Sequence, residues 1–547
     1  MRGGRLVFAT FSDPKTFNPI TAAETSSRDI TRILFDGLVL KDRVTEEVSP
    51  GLAESWKVEA DQKTWTFHLR KGVRWSDGHP FTADDVVFTF TDVIYNPDVV
   101  NTTVDFLTVD KKKFGVTKVD DYTVRVVTPE IFAPLLDYFG ADTQILPKHV
   151  LSPAVAGKRF ESAYGINTPP EQLICTGPFR LKQYKPGEFT LLERNPHYWQ
   201  VDKAGQRLPY FDNVIQVVVP DQNAMGLRFL KGETDLVELV RPEEYDSFKQ
   251  AAAGGRFTLL ELGIASQFDM LILNQNPGTN SATGKPYVAP HKLKWFRNQK
   301  FRQALSYGLD RPSIVKSTLA GRGKPNYGFA TESNTKWHNF NIAQYPYDPA
   351  KAKALLAEIG IQDRNGDGVL EDIDGHAIEF EMNTNSGNSR REKGSIIVQE
   401  DLKRLGIKVN FRPLDFNTLA HKLDTGFDFE VIFLGLASES TDPSESLNTL
   451  KSDGFLHQWY PRQKTPSTEW EARIDFLMNA QLKTLDFSER KKYFDEVQAI
   501  MAEQQPMIST TAMNAYSAAR VTLGNLKPTV HHNNRLIWNI EELYFKK

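Results

Sequence analysis

WTFHLRKGVRWSDGHPFTADDVVFTF, Trp65 to Phe90, opens as a strand, with Trp65, Phe67 and Leu69 on one face and Thr66, His68 and Arg70 on the other. Lys71-Gly72 interrupts it and Ser76-Asp77-Gly78 makes a turn. Thr82 is placed to cap a helix starting at Ala83, and Asp84 and Asp85 then stand in its first turn, where the helix dipole favours anions. The polar groups do turn and cap work and the aromatics read as core. A strand, a turn and a capped helix in 26 residues are the grammar of mixed α and β structure, and nothing in them is catalytic.

The same grammar extends both ways. Arg5–Thr10 reads as a strand, and Thr25 to Leu40 as a helix with Ile30, Ile33, Leu34 and Leu38 at helical spacing. From Ser49 to about Pro170 short strands alternate with turns, as an inserted α+β subdomain would. Gly177 to Trp199 reads as a hairpin around Lys185-Pro186-Gly187. Val214 to Asp221 is a more continuously apolar strand, followed by a helix over Asn223–Lys231 and a strand over Thr234–Leu239. A second lobe begins near Phe268. It holds a helix in FRQALSYGLDR (Phe301–Arg311), a helix at Pro349–Gly360 and a strand at His376–Met382. A helix at Ser395–Leu405 and strands at Lys408–Pro413 and Asp428–Leu436 follow. A last helix at Ser488–Glu503 precedes strands that return the chain to the first lobe. The expected division is 1–48, 171–266 and 507–547 as lobe I, 49–170 as the inserted subdomain and 267–506 as lobe II. Several crossings without a long linker suit a hinged clamp.

At 547 residues the chain is too long for one core. Lys plus Arg number 66 against 69 Asp plus Glu, so there is no basic footprint for nucleic acid. An 11% aromatic share suits large cores and a ligand gripped by flat apolar surfaces. Cys175 is the sole cysteine, so no intrachain disulfide forms, and in LICTGPF it packs as a small hydrophobe. No run of 18 apolar residues occurs, and MRGGRLVFAT lacks the apolar stretch of a signal peptide. A mature exported form begun at a new Met1 is the favoured reading, a cytoplasmic protein the other.

Taken together in order and spacing, PGLAESWKV (Pro50–Val58), the Trp65–Phe90 block, CTGPFRLKQY (Cys175–Tyr184), LERNPHYW (Leu192–Trp199) and FRQALSYGLDR resemble the signature of extracellular solute-binding proteins of family 5, the peptide, nickel and oligopeptide receptors of ABC importers. The resemblance covers nearly the whole chain. It implies an α/β, two-lobed periplasmic-binding-protein-like fold (type II, with an extra α+β subdomain) closing around a central cleft. It also implies delivery of a small solute to a membrane permease, a periplasmic or cell-surface location, a monomer, no required cofactor and no enzymatic activity. An oligopeptide is the leading cargo, an oligosaccharide the alternative, and a hydrolase the competing class.

Peptide-binding members carry a motif like W-x-x-D-x-x-D-P, whose first Asp pairs with the peptide's amino terminus. The matching stretch here is LASESTDP, Leu436–Pro443: Glu439 stands at that Asp, Asp442-Pro443 are retained, and Leu436 replaces the Trp. Glu439 would pair with an ammonium or else be a solvated loop carboxylate. Asn274 and its neighbours, and Asn383 with Asn385, sit just past apolar strands, where neutral amides suit peptide backbone or sugar hydroxyls; plain turn chemistry is the other reading. Thr25 and Ser26 open the first helix as cap and ligand contact. Trp459 and Tyr460, in the loop HQWYPRQ, offer stacking platforms or anchor that loop.

Asp363 to Asp374, DRNGDGVLEDID, follows the calcium-loop pattern, with Asp363, Asn365 and Asp367 as oxygen donors, the Val369 carbonyl next, and Asp374 where a bidentate Glu is usual. The flanks predict helix, loop and strand, so the ion would be structural; a hairpin turn is the other reading. No G-x-S-x-G, H-E-x-x-H or G-x-G-x-x-G motif is present.

Overall fold

The computed structural model describes residues 2–546 apart from 23, 102, 110–111, 281–282, 437–440, 455 and 532–533. The chain forms two compact units: residues 1–261, 483–485 and 516–547, and residues 262–482 and 486–515. The division falls inside two long strands, Phe257–Leu273 and Met507–Arg520, and at the loop 483–485 between two helices.

In the first unit the strands run in the order Phe179–Lys185, Phe189–Arg194, Asn213–Val218, Arg5–Thr10, Leu236–Val237, then the end of Met507–Arg520. The first pair is the expected hairpin. Arg5–Thr10 is parallel to its neighbours on both sides, Leu6 opposite Val214 and Phe8 opposite Leu236, and it buries Leu6 and Phe8. A separate antiparallel sheet, in the order Ala53–Val58, Thr64–Leu69, Thr123–Val127, Gly115–Asp120, holds the opening stretch. Trp65, Phe67 and Leu69 are buried there as their spacing requires, and Phe90 stacks on Phe139 with ring centroids 3.9 Å apart. Thr82 caps the helix from Ala83 in a capping box: its side chain accepts from Asp84 N, and its own amide donates to Asp85 Oδ2 at 3.0 Å. Cys175 is fully buried, its thiol donating to Phe179 O.

The first helix is shorter than its periodicity suggests. It spans Thr25–Leu34, and Val39–Lys41 is a strand paired with Val48–Pro50. The break is steric: a Cβ on Gly37 would lie 2.5 Å from Gly140 O, so the backbone passes there only as glycine. Gly177 is bound in the same way, its amide donating to Leu34 O at 2.8 Å and its Cα facing Ile33 O, where a Cβ would come within 2.5 Å.

In the second unit Phe268–Leu273 runs antiparallel to Val431–Leu436, which is parallel to Glu379–Asn385, itself parallel to Lys408–Leu414. Side chains alternate into two cores. Leu271, Leu273, Val431 and Phe433 pack against helices Gln299–Gly308, Pro349–Glu358 and Ser389–Leu405. Met270, Ile272 and Ile432 pack against Glu469–Leu482 and Phe487–Gln504. Helices on both faces of a mixed sheet, with a parallel run through Val431–Leu436, Glu379–Asn385 and Lys408–Leu414, are the α/β class the sequence implied.

Candidate functional site

The three strands Glu379–Asn385, Lys408–Leu414 and Val431–Leu436 end at one edge of the second unit's sheet. Ligands of open α/β sheets collect at such carboxyl edges. The helix Ser389–Leu405 starts over it, its N-cap Asn388 accepting from Arg391 N at 3.1 Å. Its first turn delivers two guanidinium groups to one buried carboxylate. Arg390 pairs with Asp269, and Arg391 Nε lies 3.4 Å from Asp269 Oδ1 while its Nη1 donates to Asn385 Oδ1 at 2.9 Å. Asp269 stands opposite Gly435 in the antiparallel ladder. A Cβ at Gly435 would lie 2.5 Å from Arg391 Nη2 and 2.9 Å from Asp269 Oδ1, so the glycine makes room for this pair. Burial pushes the Arg391 guanidinium down to about 10.

The residues singled out in the sequence fare unevenly. Asn385 joins the charged cluster. Asn383, one strand pair inward, is fully buried: its amide donates to Arg412 O at 3.1 Å, while its Oδ1 is buried with no hydrogen-bond partner. Asn274 is spent on the fold, donating to Phe427 O and Phe429 O, both at 2.8 Å, and accepting from Asn276 N. Asp442 caps the short helix Pro443–Ser446 and pairs with Arg490 at 2.8 Å. Burial alone would raise its carboxyl, but the guanidinium and the Ser444 hydrogen bonds hold it low. Glu439 lies outside the described residues.

Of the two readings of Trp459, the structure keeps the loop anchor and overturns the stacking platform. Trp459 is a fully buried core residue, its indole donating to Glu471 Oε1 at 3.2 Å beside His457. Tyr460 is half-buried against the same core. In the first unit Thr25 is exposed and does not cap its helix: Glu24 holds the N-cap position, without a side-chain cap bond, and Ser26 donates to Asp13 O at 2.9 Å.

The Asp363–Asp374 loop folds on itself. Asp363 accepts from Gly366 N and Gly368 N, Asn365 from Asp367 N, and Asp367 from Val369 N. Asp363 and Asp367 draw together with Glu371, not with Asp374. Asp374 turns instead toward Asp372, His376 and Lys294, 3.3 Å away.

Sequence reasoning missed Asp269, Arg390 and Arg391. The available signal was a lone acid in the apolar run DMLILNQN and an Arg pair opening a helix just after a strand.

Comparison with known proteins bears on the whole chain. A protein of Deinococcus radiodurans named "Probable ABC transporter-binding protein" is 30% identical over 94% of this chain and 88% of its own. The oligopeptide-binding protein AppA of Bacillus subtilis is 29% identical over all of this chain and 92% of its own. Its structure with a nonapeptide superposes with a TM-score of 0.77 at 28% identity, covering both chains fully. A periplasmic alpha-galactoside-binding protein of Rhizobium meliloti is 29% identical over 68% of this chain and 54% of its own. The middle region of the bacterial extracellular solute-binding proteins, family 5, matches residues 47–456. With three quarters of its length matched and its fold shared, the chain belongs to the bacterial extracellular solute-binding proteins of family 5.

Proposed function

We propose that the protein is the peptide-capturing receptor of an ABC importer, working outside the cytoplasmic membrane, without catalysis, and handing its cargo to a permease. The observation that supports this is the charged cluster at the strand edge, where Asp269, Arg390 and Arg391 put both signs of charge where ligands of such sheets bind. A peptide's carboxylate finds a charged partner in this arginine pair, whereas a neutral sugar finds only hydrogen bonds there. For the ammonium, the acid proposed is Glu439, three residues after Leu436 in sequence. The oligopeptide receptor AppA, similar over 92% of its length, agrees. The alpha-galactoside receptor supports oligosaccharide binding as the second reading.

Calorimetric titration with four- to nine-residue peptides and with stachyose separates the two. Peptides are expected to bind, and Arg390→Gln to weaken them by about ten- to a hundredfold, the worth of one charge-assisted hydrogen bond. Binding of stachyose alone, or peptide binding indifferent to the substitution, would count against the peptide reading. Appearance of cleaved peptide at steady turnover would make it a hydrolase.

We also propose a structural calcium ion in the Asp363–Glu371 loop, held by Asp363, Asn365, Asp367, Glu371 and the Val369 carbonyl, with Asp374 left out. Calcium is expected to raise the melting temperature and EDTA to lower it again; an unchanged melting curve refutes the site.

A further inference from the structure

The first unit holds a pocket that peptide capture does not use. It has a volume of about 260 Å³ and lies where the end of the helix Thr25–Leu34, the strand Val39–Lys41 and the segment Asn534–Glu542 meet. A water molecule's share of liquid volume is roughly 30 Å³, so the space takes several waters or one small organic molecule.

Its walls carry both signs of charge and several amides, and three acceptors among them stand out. Asp36, 7% exposed, lines the pocket, and its Oδ2 accepts from the Trp199 indole at 2.8 Å. Glu541 lines the same space with no ion pair and no side-chain donor among the described residues. Asn539 is 1% exposed; its amide donates to Asn525 O at 3.0 Å, and its Oδ1 is buried with no hydrogen-bond partner. The cations around them are engaged. Lys41 lies 2.8 Å from Glu46 and 2.7 Å from Asp137, Arg43 lies 3.3 Å from Asp142, and Lys527 lies 2.7 Å from Glu542. Asp36, Glu541 and the turn-forming Asp42 are the further acids of the described lining, and Arg32 its one further positive group.

We propose that this pocket binds a small primary ammonium ion, with Asp36, Glu541 and the Asn539 carbonyl as its acceptors. A primary ammonium brings three donors and one positive charge, which is what these groups lack. A hard divalent cation needs six or more oxygens, and among the described residues no three carboxylates of this pocket approach closely enough to share one. Burial pushes the Asp36 carboxyl up to about 6 and that of Glu541 up to about 8, so near pH 7 the free site keeps a proton that an arriving ammonium displaces.

The test is titration calorimetry of putrescine into the full chain at pH 7, in two buffers of different ionisation enthalpy, with 1,4-butanediol as the neutral isostere. Saturable one-to-one uptake of putrescine with proton release is expected, and none of butanediol. Glu541→Gln should weaken uptake at least tenfold and abolish the proton release while leaving peptide affinity unchanged. If that variant loses its native circular dichroism, Asn539→Leu decides by the same loss of affinity. Absence of saturable putrescine binding, equal binding of butanediol, an unaffected variant, or competition between putrescine and peptide for one site would each overturn the proposal.

Discussion

Glu471 does more for the second unit than its single charge suggests. Its carboxylate accepts from Trp459 Nε1 at 3.2 Å, Gln463 at 3.2 Å, Ser467 N at 2.9 Å and Thr468 Oγ1 at 3.0 Å, tying a loop to the start of the helix Glu469–Leu482. Burial works to raise its carboxyl, yet the His457 ring 3.6 Å away and the Ser467, Gln463 and Trp459 donors outweigh it and hold it down at about 2. A carboxyl lower in the folded than the unfolded state stabilises fully above its unfolded value near 4.3, and loses that contribution as pH falls toward 2. The contribution is about 3 kcal/mol. Urea midpoints measured from pH 6 down to 3 should fall more steeply for the wild type than for Glu471→Gln, which starts lower; parallel curves would deny the carboxylate this role. The same residue explains why Trp459 was illegible. HQWYPRQ reads as an exposed loop because it is polar around its aromatics, and the acid that draws the indole inward lies twelve positions away. No local pattern announces a partner at that distance.

Helices and strands were more readable than the side chains they carry. The alternation in Trp65–Leu69, the cap at Thr82 and the hairpin around Pro186 follow from period and turn chemistry alone. The first helix was overrun because Leu38 continues its apolar spacing while the real stop is non-local, the carbonyls of residues 140 and 141 pressing on Gly37. Gly177 is the matching case, held against the end of that helix. Gly177→Ala should destabilise the first unit by roughly 2–3 kcal/mol, since the methyl meets backbone rather than a movable side chain. A melting temperature equal to the wild type's would mean that this contact relaxes freely. Legibility failed differently in the Asp363–Asp374 loop. The pattern located the turn, but which acid completes the ring depends on how the chain leaves it. The bridges of Glu371 to Gln362 and to Ala377 carry Glu371 in and Asp374 away.

For the molecule as a whole, the α/β class and the family were readable because they rest on many blocks at once, spread from Pro50 to Arg311. The charged cluster was not, because Asp269, Gly435 and Arg390 come from two strands and the start of a helix, far apart in the chain. Only the folded sheet brings them together. The crossings between units carry no linker, as the sequence suggested, and Phe257–Leu273 and Met507–Arg520 pass from one unit to the other without a break in strand geometry, so the exact boundary has no compositional mark.

One thiol in 547 residues is also a clock. Cys175 sits wholly within the first unit, fully buried, its thiol pushed up to about 12 by that burial, so it is both hidden and unreactive in the folded state. A disulfide reagent can reach it only when this unit opens, and the labelling rate therefore times that opening. Peptide bound at the site proposed for the second unit should leave the labelling rate unchanged if the units open independently, and should slow it if they open as one. Prompt labelling of the native protein would show that the thiol is not sealed.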